Sequence, residues 1–151
     1  MFLHILTIPK NEEFLRQKSK DFDLSLLADQ FWQNFLKDLQ ETMASANGIG
    51  LAAPQTGQAV RIIAVDFEGE TKIMINPKIT KKSWRHEIAE EGCLSVPKIY
   101  GKVRRHKKIK AEFFDEAGKP RRLAVRHIIA RIIQHEIDHL DGILFIDKIV
   151  K

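Results

Sequence analysis

Apolar residues recur at Leu24, Leu27, Phe31, Phe35, Leu39 and Met43, at intervals of three and four. That spacing puts them on one face of a helix, and Asp23 is a suitable cap for its start. Asn47-Gly48 ends the run, because both residues tolerate the left-handed geometry that closes helices. The pattern predicts an amphipathic helix over 23–46, lying on a core. A second helical pattern begins near Arg126, with Ile128, Ile129, Ile132, Ile133, Ile137 and Leu140, and ends at Asp141-Gly142. It is apolar over much of its girth, which predicts burial.

Between the helices the period changes. Runs over 60–67 and 71–76 read as strands, with Glu68-Gly69-Glu70 as the hairpin turn and Pro77 ending the second run. Segments 79–84 and 87–90 are candidate edge strands. The run 102–114 alternates unevenly but keeps Val103, Ile109, Ala111 and Phe113 on one parity. Residues 115–118 then turn the chain and 121–125 return, a long basic hairpin. Residues 143–146 read as a last short strand, and 48–57 as a loop rich in Gly, Ala and Pro. The first 22 residues lack sustained periodicity. Helices segregated from antiparallel strands predict an α+β fold, with the strands packed around the buried C-terminal helix. No linker, repeat or low-complexity segment divides 1–151, which reads as one domain. At this length folding buries roughly 68–70% of the unfolded chain's surface, enough for one continuous core.

Composition narrows the class. The chain is 44% hydrophobic and 30% charged, and no run reaches the ~18 apolar residues of a membrane helix. The start has no basic segment before its short apolar run and no small-residue cleavage site, so neither a signal nor a transit peptide is expected. The cytoplasm is the expected compartment. The formal charge is +5. Residues 98–122 hold ten Lys/Arg (98, 102, 104, 105, 107, 108, 110, 119, 121 and 122) against three acids (112, 115 and 116). Such a stretch suits a nucleic acid or acidic partner, or else lysines that blunt a strand edge. The single cysteine, Cys93, excludes an internal disulfide and leaves buried filler, nucleophile or metal ligand.

The chemistry concentrates in His135-Glu136-Ile137-Asp138-His139. On a helix, residues four apart share a face one turn apart, so two imidazoles can grip one ion while Glu136 projects toward its water. Two polar histidines on a wet face would be the ordinary alternative. The surrounding isoleucines oppose it, because burying these groups without partners costs several kcal/mol. Two imidazoles need a third ligand, and Cys93 in Glu91-Gly92-Cys93-Leu94-Ser95 offers one, leaving an open position suited to catalysis. A nucleophilic Cys93 with His135 as base would leave His139 without a task. Gly48-Ile49-Gly50-Leu51-Ala52-Ala53-Pro54-Gln55 is either a tight connection or a place of close chain approach, with Gln55 either solvated or a donor.

GIGLAAPQ at 48–55, EGCLS at 91–95 and QHEIDHLDG at 134–142 together resemble the peptide deformylases, in order and approximate spacing. Glu41-Thr42-Met43, Ile75-Asn76-Pro77, Ser95-Val96-Pro97 and the segment 142–147 extend the resemblance over most of the chain. It implies a metal-dependent hydrolase that removes the formyl group from N-terminal formyl-methionine. It also implies Cys93, His135 and His139 as ligands, Glu136 as general base and acid, and Gln55 with the Leu94 N–H as holders of the oxyanion. The implied metal is ferrous iron, with zinc, nickel or cobalt able to replace it. Ile49, Gly50 and Ile132 are candidate walls for formyl and methionine, Ile132 being equally an ordinary core residue. Arg105 is the expected partner of Glu91.

Departures from the family are few. His127 stands where glycine is frequent, and reads as structural or exposed. Tyr100 stands where some members carry a substrate-contacting arginine. The chain stops without the C-terminal helix associated with ribosome docking, so the basic 98–122 hairpin is the candidate substitute. Zinc endopeptidases share HExxH, but many take a downstream His or Glu, and the eleven residues after Leu140 hold neither. A basic RNA-binding protein with a structural metal would need a fourth ligand that no second cysteine can supply.

Overall fold

The first amphipathic pattern folds as helix, but in two pieces. In the computed structural model, which describes residues 1–151, a 3₁₀ turn spans Leu24–Ala28 and an α-helix, α2, spans Gln30–Ser45. A four-residue helix, α1 (Glu12–Leu15), precedes both, within the stretch that lacks periodicity. The break has a local cause. Asp23 accepts from the Ser25 N–H and Asp29 from the Phe31 N–H. Each side chain bonds the backbone two residues on, an arrangement that competes with a continuous helix. Asn47, at φ 56°, closes α2, and the Gly48 N–H reaches back to the Met43 carbonyl.

Seven strands follow: β1 (Gly50–Ala52), β2 (Ile62–Phe67), β3 (Glu70–Lys82), β4 (His86–Cys93), β5 (Val96–His106), β6 (Lys108–Phe114) and β7 (Pro120–Arg126). They form a five-stranded antiparallel sheet, ordered β1-β2-β3-β6-β7, and a separate β4–β5 hairpin. The second long helix, α3, spans His127–Leu140. It covers one face of the large sheet, where Ile63, Val65, Met74, Ile109 and Phe113 meet its Ile133, Ile137 and Leu140. On the other face α2 brings Phe35, Leu36, Leu39 and Met43 onto Leu51, Ile62, Ala64, Ile73 and Ile75. Coverage on both sides explains why Ile62-Ile63-Ala64-Val65 is apolar without alternation.

Several sequence expectations change. Pro77 does not end its strand: β3 continues to Lys82, so 79–82 belong to it and are no separate edge strand. The register shifts between Ile75 and Lys78, with Asn76 at φ 51°. Proline is tolerated at such a bulge. The Asn76 amide anchors the bulge by exchanging hydrogen bonds with both the N–H and the carbonyl of Phe22. The run 102–114 is two strands in different sheets, broken at Lys107, so the basic 98–122 stretch is not one hairpin. Val103 joins Val96 and Phe145 in a small third core, away from Ile109, Ala111 and Phe113. The loop 48–57 contains β1 and a 3₁₀ turn, Ala53–Thr56. The expected last strand, 143–146, is replaced by a 3₁₀ turn, Phe145–Lys148, with Asp147 accepting from the Leu144 N–H. No helix is long and apolar enough to cross a membrane.

Candidate metal centre

Cys93 ends β4 and pairs with Val96 across a two-residue turn. That turn sets the thiol against α3. Cys93 Sγ lies 3.2 Å from His139 Nε2. The ligand atoms of Cys93, His135 and His139 all lie within 4.8 Å of one another. Both imidazoles are buried. His127, eight residues before His135, lies outside the cluster on an exposed ring that bonds Glu87 at 2.7 Å. It adopts φ 59°, a conformation that favours glycine.

The donor set suits one divalent ion: a soft thiolate and two imidazoles, with room for a fourth partner. The electrostatics agree. Burial opposes protonation of His135, but its hydrogen bonds to Cys93 and Glu91 outweigh that and carry it up to about 10. Burial, with the neighbouring His135, holds His139 well below the usual imidazole range, in the neutral form that a ligand needs.

Behind the cluster lies a buried network centred on Glu91. Its carboxylate accepts two hydrogen bonds from Arg105, both 2.9 Å. It also accepts from Arg131 Nη1 at 2.6 Å and lies 2.9 Å from His135 Nδ1. Burial alone would raise this carboxyl, yet the bonds from Arg105 and His135 hold it well below the usual carboxylate range. With Nδ1 engaged, the His135 ring is turned so that Nε2 faces the cluster, a type of support that orients metal ligands. Arg105 also binds Asp138, which Lys148 holds at 2.9 Å. Arg131 and Asp138 were not singled out from the sequence. An arginine one turn before His135, among isoleucines, is the signal that could have found the first.

Glu136 is 4% exposed, and its Oε2 has no partner within the protein. Burial pushes its carboxyl up to about 7. Gly50 makes room for it: a Cβ there would stand 2.5 Å from Glu136 Oε1. Gln55 is buried, not solvated. Its Oε1 accepts from the Ala52 N–H at 2.9 Å, which fixes the amide, and its Nε2 donates to Ser95 Oγ at 3.0 Å. That nitrogen lies 3.6 Å from Cys93 Sγ. Leu94 occupies the turn between Cys93 and Val96, where the strand ladder does not use its N–H.

Gln55, Glu91, Cys93, Leu94, His135 and Glu136 border a cleft of about 340 Å³, and His139 is not among its walls. Ile49, Gly50 and Ile132 line it, and Ile132 belongs to the main core as well. Two further lining residues qualify the sequence reading. Ile128, expected to be buried with its helix, is 57% exposed at the cleft. Tyr100 lays its ring beside Gly92, where a Cβ would come within 2.6 Å of it.

The polypeptide deformylase profile matches residues 2–151. The chain belongs to the polypeptide deformylase family. It is accordingly a metal-dependent hydrolase that takes the formyl group from formyl-methionyl nascent polypeptides. A peptide deformylase of Treponema pallidum is 46% identical over 121 residues, covering 80% of this chain and 75% of that protein. The peptide deformylase crystal structure from Thermotoga maritima superposes with a TM-score of 0.92 at 33% identity, over 100% of this chain and 99% of that one. A class I type b peptide deformylase from Acinetobacter baumannii, crystallised with Met-Ala-Ser, gives a TM-score of 0.92 at 29% identity over 99% of both chains.

Proposed function

We propose that Cys93, His135 and His139 hold the deformylase metal, that Glu136 moves the protons, and that Gln55 and the Leu94 N–H stabilise the charge formed on the formyl oxygen. One observation carries this reading: a thiol and two buried imidazoles converge beside a carboxylate whose Oε2 no protein group occupies. We take the natural ion to be ferrous iron, with zinc, nickel or cobalt able to replace it. Thiolate and imidazole donors suit all four. When bound, such an ion supplies Lewis acidity and makes water acidic enough to attack near neutral pH.

Glu136 Oε2 takes the proton of the attacking water as its oxygen bonds to the formyl carbon. Negative charge then grows on the formyl oxygen. In this reading the Gln55 Nε2–H that Ser95 does not take and the Leu94 N–H donate to that charge, and a donor of this kind contributes about 2.7–4 kcal/mol. Glu136 passes its proton to the methionine nitrogen as the carbon–nitrogen bond breaks, leaving formate and a free N-terminus. Ile49, Gly50 and Ile132 wall the cleft, so that hydrogen on the reacting carbon fits and a methyl does not. A relative that binds Met-Ala-Ser supports a methionine-first peptide as the occupant.

We place this reaction in the cytoplasm, on chains leaving the ribosome, with the basic 98–122 stretch as the contact. The test of the chemistry is formate release from formyl-Met-Ala after anaerobic iron loading, for the parent and for Glu136→Ala. A general acid–base group contributes about 10²–10⁴-fold. Glu136→Ala should lose activity on that scale while keeping its metal, and full activity in that variant would remove the proposed mechanism.

A further inference from the structure

Like charges face each other across the outer part of the large sheet. Lys81 stands opposite Lys110, and Lys108 opposite Arg126. Directly opposed like charges destabilise a sheet. The lysines that do form ion pairs, Lys37 and Lys148, are not on these strands. Cations can blunt an edge strand, which accounts for Arg126 on β7. It does not account for Lys108 and Lys110, because β6 lies between β3 and β7. The core beneath α2 draws mainly on β1, β2 and β3, so on the face opposite α3 this end of the sheet has no helix packed on it. A concavity of about 440 Å³ results, lined by Lys81, Lys82, Lys108, Lys110 and Arg126 and by no acidic residue.

An exposed aromatic residue follows Ser83, which lines it. Trp84 is 90% exposed. Its turn is nevertheless firmly held: the Ser83 N–H donates to the Lys108 carbonyl, the Lys108 N–H to Ser83 Oγ, and the Lys107 N–H to the Arg85 carbonyl. A second concavity, of about 360 Å³, shares Lys82 and adds Lys78, His86 and Arg104. Its carboxylates are already engaged, Asp138 by Arg105 and Lys148, and Asp141 by Arg61.

We propose that this basic sheet face, with the neighbouring exposed Trp84, docks RNA. Phosphates would lie along Lys81, Lys82, Lys108, Lys110 and Arg126, and an unpaired base would stack on the Trp84 indole. Cations that track a backbone beside a ring open to stacking are what a single strand requires. An acidic peptide would leave the indole without a partner. The inference narrows the ribosome contact proposed above to Lys108 and Lys110 of that stretch, adds Lys81, Lys82 and Arg126 from the neighbouring strands, and rests on that contact and not on the hydrolysis. The surface also adjoins the cleft in sequence, since Arg126 lines one and Ile128 the other.

The test is fluorescence anisotropy of a labelled single-stranded RNA of about 12 nucleotides, titrated with the metal-loaded protein between about 50 and 200 mM salt. Lys108→Glu/Lys110→Glu should weaken binding at least about tenfold and flatten the salt dependence. Trp84→Ala, which removes only an exposed ring, should weaken it about fivefold, the factor that corresponds to about 1 kcal/mol of stacking. Lys10→Glu/Lys18→Glu changes the net charge equally and should leave affinity nearly unaltered. Formate release should be unchanged in all these variants, so a failed deformylase mechanism and a failed docking surface give separate results. The proposal is overturned if the parent does not bind RNA, or if the control pair weakens binding as much as the groove pair. Equal affinity in the groove variant, or preferential binding to phosphatidylglycerol vesicles, overturns it too.

Discussion

Gly50 and Glu136 show how little space the proposed proton-carrying carboxylate has. A methyl group at position 50 would lie 2.5 Å from Glu136 Oε1 and 2.9 Å from its Cδ. The carboxylate would have to move, and a misplacement of about 1 Å at a reacting group can cost about 10²-fold. Gly50→Ala should therefore lower kcat by roughly 10–100-fold with metal content and Tm nearly unchanged, read from steady-state kinetics and metal analysis on one preparation. At this scale much of the site was legible. The four-residue interval in HExxH puts both imidazoles on one helix face, the surrounding isoleucines set aside the wet-face alternative, and the lone cysteine had few competitors for the third position. Gln55 was harder to read, because an amide in a Gly/Ala/Pro segment looks solvated. Its burial depends on Ala52 and Ser95, whose proximity only the fold supplies.

The Glu91 network is a property of elements, since it joins β4, β5 and α3 in one buried cluster of charge. Arg105 binds Glu91 and Asp138, while Arg131 binds Glu91 and the carbonyls of Val103 and Glu87. Gln134 adds a clamp, exchanging hydrogen bonds with both backbone groups of His106. Removing one partner of a buried ion pair leaves an uncompensated charge and costs about 3–5 kcal/mol. Arg105→Ala should lose stability on that scale in urea denaturation and should weaken metal binding about 10–100-fold, because His135 loses part of its support. Unchanged stability and metal occupancy would refute the supporting role. The Glu91–Arg105 pair was expected from resemblance, whereas Arg131 was not, because a helix pattern shows which residues share a face but not what that face meets. The strand errors have the same origin. The uneven alternation over 102–114 signalled a change of sheet, but parity alone cannot distinguish one bent strand from two. A proline likewise marks an irregularity, and only the Asn76 anchor on Phe22 shows that the strand continues beyond it.

At the scale of the whole molecule the metal centre joins parts that are remote in sequence. Cys93 closes the β4–β5 hairpin, His135 and His139 belong to the helix that fills the large sheet, and Gln55 arrives from the segment after β1. An ion held by the first three, as proposed, would tie the small hairpin to the main core. Any ligand that binds only the folded chain stabilises it by mass action, about 2.7 kcal/mol when present at 100 times its dissociation constant. For a chain of about 150 residues, 1 kcal/mol corresponds to about 2–4 °C, so stripping the metal should lower Tm by about 5–10 °C. Calorimetry of loaded and chelator-treated protein at one concentration measures this directly. Cys93→Ala supplies the decisive comparison. It keeps both histidines and the Glu91 network but loses the sulfur, so loading and stripping should give it nearly the same Tm. A parent whose Tm ignores chelation, or a Cys93→Ala variant that still responds as the parent does, would mean that the thiol is not what joins the hairpin to the helix.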